Sequence, residues 1–159
     1  MARPVAFEVS SRLAAPAAEV WQHATAMPGV NAELSPWVRM THPGHLSRLD
    51  DAPELIGRPV AFHSWLLGFG VVPFDRHSLG LVSVERFDDG GGAFVEESTT
   101  WLQRRWRHER DVVAEGDGCR VTDRLVVEPR LALNRPVVAR LVPWLFDRRH
   151  RVLRDRFGT

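Results

Sequence analysis

The stretch Arg104–Val113, RRWRHERDVV, sets an indole, an imidazole and a guanidinium at alternate positions. Read with a period of two, Trp106, His108, Arg110 and Val112 share one face, and Arg105, Arg107, Glu109 and Asp111 share the other. The second face is wholly charged and reads as wet, which turns His108 and Arg110 inward. The same alternation in Val121–Val127 groups Asp123 with Val121, Leu125 and Val127. Charges are rarely buried unpaired, because desolvation is costly. The two segments therefore read as strands lining a space that is apolar with a few polar positions. In a functional reading His108 exchanges a proton, Asp123 orients it, and Arg110 holds an oxyanion or a carboxylate. Trp106 and Leu125 then form wall. In a structural reading Arg110 and Asp123 simply pair across neighbouring strands, and His108 donates to a backbone carbonyl.

Further candidates lie elsewhere. Asp75, Arg76 and His77 follow a turn and bring a carboxylate, a guanidinium and an imidazole to one place, either as a polar anchor at a cavity mouth or as a pair tying the turn down. Glu97 shares a face with Val95 and Thr99 and is a candidate inward acid, with Glu96 as the alternative because alternation is weak there. His63 and Trp65 share a face that would line the pocket, or His63 is a satisfied core group. Acid/base candidates are thus His108, His77 and Asp123.

These residues need elements to hold them. Val5–Leu13 alternates as a first strand, and Pro16 opens a short helix with the stripe Val20, Trp21 and Ala24, ended by Met27-Pro28-Gly29. A brief helical piece, Val30–Leu34, stops before Ser35-Pro36, and Trp37–Thr41 reads as a strand. His42–Arg58 has no clear periodicity and is either a lid or a surface excursion with a helical turn near Pro53–Ile56. Strands follow at Pro59–Leu67, Leu79–Phe87, Ala93–Leu102, Arg104–Glu115 and Cys119–Glu128, separated by Gly-rich turns. Asn134 is placed to cap a long helix with Pro136 in its first turn; Val138, Leu141, Val142, Leu145, Phe146, Val152 and Leu153 form its stripe, and Pro143 should kink it. Its arginines, Arg135, Arg140, Arg148, Arg149, Arg151, Arg154 and Arg156, read as a solvated face.

Composition narrows the function. The 159 residues suit one domain with a real core or an enclosed cavity. The net charge is +1, with every one of the 21 basic residues an arginine, so there is no global attraction to nucleic acid or anionic membranes. One cysteine excludes an internal disulfide, the N-terminus lacks a signal-peptide core, and no apolar run has spanning length. A cytoplasmic protein without integral membrane association is expected. His42 and His45 lack ligand partners nearby, and zinc-protease, phosphate-loop and nucleophile-elbow patterns are absent, so no metal and no cofactor are expected.

One strand, two small helices, a run of antiparallel strands and a long amphipathic helix is an order that resembles the START-like, or SRPBCC, helix-grip superfamily. Phe7-Glu8-Val9-Ser10 followed by Ala15-Pro16 and Val20-Trp21 looks like its opening; Pro73–His77, Glu96-Glu97-Ser98, Trp106-Arg107-His108 and Asp123-Arg124 look like its bacterial ligand-binding branch. The resemblance covers essentially the whole chain. It implies an α+β fold in which a curved antiparallel sheet of six or seven strands wraps a C-terminal helix around an apolar cavity. It implies a small hydrophobic ligand, lipid-like or aromatic, as partner. Alternatives are a cofactor-free enzyme of the polyketide cyclase/dehydratase type and a partner-binding accessory domain with a collapsed cavity. Fold alone does not choose among them, and oligomeric state stays open.

Overall fold

The computed structural model describes residues 2–159. The chain runs β1 (Val5–Leu13), α1 (Ala17–Thr25), α2 (Met27–Leu34), β2 (Val38–Met40), β3 (Phe62–Gly68), β4 (Val72–Leu79), β5 (Leu81–Arg86), β6 (Gly92–Thr100), β7 (Gln103–Glu115), β8 (Gly118–Pro129) and α3 (Arg135–Phe157). The eight strands form one antiparallel sheet in the order β1-β8-β7-β6-β4-β3-β2, with β5 also pairing β6. The sheet curls around α3, a helix of 23 residues. This is the α+β helix-grip arrangement, with one strand more than the sequence pattern predicts.

The extra strand is β4. Val72–Leu79 carries Pro73 and polar residues that read as a turn, yet it pairs with β3 along its length, through a register shift at Leu66/Leu67. Asp75 and His77 therefore sit on a strand and not on a loop. Gly80 then lets the chain pass from β4 to β5 against β6: a Cβ there would lie 2.5 Å from the Glu97 carbonyl oxygen. Two other boundaries differ from the sequence reading. Met27-Pro28-Gly29 begins α2 instead of ending α1, with Pro28 in the first turn, where its missing N–H costs nothing. Asn134 precedes α3 but makes no side-chain cap, and the helix continues through Pro143.

Residues 42–58 pack onto the body of the fold, and the helical turn expected near Pro53–Ile56 is formed at Pro53–Leu55. They contain short 3-10 turns at Leu49–Asp51 and Pro53–Leu55, and Leu46, Leu49 and Ala52 are buried against Met27, Phe62, Leu79 and Leu81. Arg48 ties the segment to α1 through the Gln22 carbonyl and the Thr25 hydroxyl.

The apolar interior has three centres. One joins α1 to β7, β8 and the C-terminal end of α3; a second lies under residues 42–58; the third packs Val138, Val142 and Phe146 of α3 on Val5, Leu125 and Val127. Helix α3 packs mainly on β1, β8 and α2. The opposite limb of the sheet, β3, β4 and β6, curves away from it. Space remains between them. No helix among the described residues is long and apolar enough to cross a membrane.

Candidate functional site

Strand pleating decides which side chains face α3. On β7 the inner positions are Gln103, Trp106, His108, Arg110 and Val112; on β8, Val121, Asp123, Leu125 and Val127; on β6, Phe94, Glu96, Ser98 and Thr100; on β4, Asp75, His77 and Leu79. The β7–β8 register sets Arg110 directly opposite Asp123 and His108 opposite Leu125.

Arg110 and Asp123 belong to a sealed ionic network. Arg110 Nε and Nη2 donate to Asp123 Oδ1 and Oδ2, each at 2.7 Å, and Nη1 and Nη2 donate to Glu33 Oε1 and Oε2 at 2.8 and 2.9 Å. Arg149 of α3 donates to Glu33 Oε2 through Nε at 2.9 Å. Asp123 also accepts from His108 Nε2 at 2.7 Å and from His150 Nε2 at 2.9 Å, while His150 Nδ1 meets the Ser11 hydroxyl at 2.8 Å. Glu33, Arg110, Asp123 and His150 are 0% exposed. Burial alone would raise the Glu33 and Asp123 carboxyls, but Arg110 outweighs it at both, helped by Arg149 at Glu33 and by His108 at Asp123, and holds them well below the usual carboxylate range. Burial also works against the Arg110 cation, and the two carboxylates more than reverse that. An ionised carboxylate only accepts, so His108 and His150 each donate to Asp123 from Nε2. The network uses four of the five guanidinium N–H groups of Arg110, whose side chain is fully buried and does not line the cavity in front of it.

In front of it lies a cavity of about 770 Å³, walled by α2, β4, β6, β7 and α3. Val30 and Leu34, Leu79, Phe94, Trp106, Val138, Val142 and Phe146 make its wall apolar, and Trp37, Leu141 and Trp144 mark the more exposed side. The cavity is open. Its polar groups are few: Asp75, His77, Glu96, Thr100, Gln103, His108, Asn134 and Arg149. His77 Nε2 lies 2.6 Å from Glu96 Oε1, which also accepts from Ser98 at 2.6 Å. His108 Nδ1 approaches Glu96 Oε2 at 3.7 Å. Burial raises the Glu96 carboxyl, but His77 and His108 together outweigh it and keep it ionised, so His77 donates from Nε2. The His77 and Trp106 rings meet edge-on at 6.0 Å, and those of His108 and Phe146 at 5.1 Å.

The sequence candidates thus fall into three places. Asp75, His77, Trp106 and His108 line the cavity. Arg110, Asp123 and Leu125 lie behind its wall: the two charged groups are consumed by each other and by Glu33, and Leu125 packs on α3. His108 donates to the Asp123 carboxylate, not to a backbone carbonyl. Four others face outward. Pairing of Phe62 with Leu79 and Ser64 with His77 turns Phe62 and Ser64 inward, so His63 and Trp65 point out; His63 meets the Ser78 hydroxyl and Trp65 stacks edge-on against Trp101. Arg76 lies over the outer face of Trp65 at 5.7 Å. Glu97 pairs with Arg105 and Arg107 on the wet face of β6 and β7, and Glu96 takes the inward place.

Glu33, Arg149, His150 and Gln103 were not singled out from the sequence. Arg149 is buried on α3, not part of a solvated arginine face, and only the fold brings it to Glu33. The lone Cys119 is buried, and burial pushes its thiol up to about 11, which leaves it a poor nucleophile. Among the described residues no group of three or more His, Cys, Asp or Glu is placed to hold a metal ion.

A family model described as a domain of unknown function, DUF8410, matches residues 11–157. No curated protein matches the chain. Among solved structures, a START superfamily protein from Mycobacterium smegmatis superposes with a TM-score of 0.65 at 15% identity, covering 96% of each chain. A protein from Chromobacterium violaceum gives 0.65 at 10% identity, covering 98% of this chain and 99% of its own. The di-domain ARO/CYC StfQ from the steffimycin biosynthetic pathway gives 0.63 at 10% identity, over 99% of this chain and 53% of that one. At these identities the likeness is one of fold, and the fold is START-like.

Proposed function

We propose that this chain, which belongs to the family described as a domain of unknown function (DUF8410), binds a small, mostly apolar molecule in the cavity between the sheet and α3. The observation that carries the reading is the cavity itself. A volume of about 770 Å³ with an apolar wall and a few converging polar groups fits a lipid-like or ring-bearing molecule. Phe94, Trp106, Val138, Val142 and Phe146 would cover its apolar body, and Asp75, His77 and Gln103 would meet its polar end. The START-like neighbours are consistent with this use of the space. Native mass spectrometry of purified protein, followed by extraction, tests it: a co-purified hydrophobic molecule is expected, and Val142→Trp, which places an indole in the cavity, should abolish it. An empty protein that also ignores a thermal-shift screen of lipids and aromatic polyketide-like compounds would defeat the reading.

One observation favours a second reading, a cofactor-free acid–base enzyme of cyclase or dehydratase type. His77 lines the cavity with Nε2 oriented by Glu96, and among the described residues no protein group pairs with its Nδ1. An imidazole so held is a general acid/base next to a bound carbonyl compound. Arg110 has no part in this version, because it does not reach the cavity. Turnover lost in His77→Gln with binding retained would support it.

A further inference from the structure

The buried carboxylates around the cavity are not partnered alike. Asp75, Glu96, Glu33 and Asp123 share this region with two buried guanidinium groups, Arg110 and Arg149, and with the imidazoles of His77, His108 and His150. Both guanidinium groups are committed to Glu33, and Arg110 also to Asp123. Glu96 has His77 and Ser98. Asp75 has no cation. It is 3% exposed, and its Oδ1 accepts the backbone N–H groups of Arg76 at 2.9 Å and Leu102 at 3.3 Å. Among the described residues its Oδ2 has no hydrogen-bond partner, and the Arg76 side chain is turned to the outer face over Trp65.

A second group at the same end is also unsatisfied. Gln103 is 9% exposed and lines the cavity, its side-chain amide makes no hydrogen bond among the described residues, and its Oε1 is fully enclosed. Asp75 and Gln103 are brought together by the turn from β6 to β7, where Leu102 N–H reaches Asp75 and Gln103 N–H reaches the Thr100 hydroxyl. Buried polar groups are normally paired, so an idle carboxylate oxygen in a cavity wall points to a partner that arrives with the ligand.

We propose that the ligand carries a protonated amine, seated on Asp75 Oδ2, on an apolar and ring-bearing body. This rests on the binding reading above and adds the ligand's charge to it. A carboxylate or phosphate would meet Asp75 and Glu96 as like charges, and Arg149, the one guanidinium in the cavity lining, already pairs with Glu33. A hydroxyl would satisfy Oδ2 but leave the negative charge uncompensated. An ammonium does both, and the Trp106 ring in the same wall suits a cation.

Three probes with one body test it: 1-naphthylmethylamine, 1-naphthalenemethanol and 1-naphthaleneacetate, titrated calorimetrically into the full-length protein at neutral pH. The amine is expected to bind about tenfold or more tightly than the alcohol, the size of a charge-assisted hydrogen bond, and the acetate most weakly. Asp75→Asn keeps an acceptor for Arg76 and Leu102 N–H but removes the charge, and should abolish the preference for the amine over the alcohol. If the alcohol or the acetate binds wild-type protein as tightly as the amine, the proposal is wrong and the binding reading stands, whatever the variant does. If none of the three binds, the proposal falls, and the binding reading is decided by co-purification and the thermal-shift screen.

Discussion

His108 and Arg110 stand two residues apart on the same face of β7, yet they belong to different regions. Arg110, with Glu33, Asp123 and His150, is part of a sealed region in which charged groups answer one another, and Arg149 joins that region to the cavity wall. His108 borders the cavity region, with His77, Glu96, Asp75 and Gln103, where polar atoms stay unused. Residue types hardly differ between the two. Closure does: α2 and α3 supply Glu33, Arg149 and His150 to one region and leave the other facing empty space. An inward charge therefore marks a binding site only where its hydrogen-bond capacity is left open.

The largest expected difference is in stability. Arg110→Met leaves Glu33 and Asp123 buried without their main partner and should cost about 3–5 kcal/mol by chemical denaturation. A milder outcome would mean that water or a helix shift repairs the network. Next comes acid sensitivity. Glu33 and Asp123 titrate lower in the folded chain than in the unfolded one, so their contribution is complete above their ordinary values of 4.5 and 3.8 and is lost as pH falls below them. Thermal melts should drop steeply in that range, and Glu33→Gln should flatten the drop while lowering the plateau. In the cavity region, His77→Ala leaves Glu96 short of a donor and should cost about 1–3 kcal/mol, with a larger effect on ligand retention than any change in the sealed region. Smallest is the outer face: Glu97→Gln should stay within about 0.5 kcal/mol of wild type in the same denaturation series, since its arginine partners are half-exposed.

Much of the fold was legible because alternation, Gly-rich turns and the stripe of α3 agree with one another. β4 was not, since Pro73 and the polar run after it look like a turn until β3 offers a partner. The face of β3 was misjudged because Phe62, Ser64 and Leu66 alternate with His63, Trp65 and Leu67, two sets of similar apolarity; pairing with β4 decides the matter. His108 and Asp123 stood out through their own strands. Glu33 did not, because its partner Arg110 is 77 residues away and nothing local to α2 announces it. Gln103 was missed for the opposite reason: its signal is a hydrogen bond it does not make.

The distinction between a sealed support and an open binding face is tested most directly by titrating 1-naphthalenemethanol into folded Glu33→Gln protein at neutral pH. Affinity within about twofold of wild type is the expected result, because Glu33 touches no part of the cavity and a change of that size is well under 1 kcal/mol. A loss of about tenfold or more, with the protein still folded, would contradict the account and return the Glu33–Arg110–Asp123 network to the binding site.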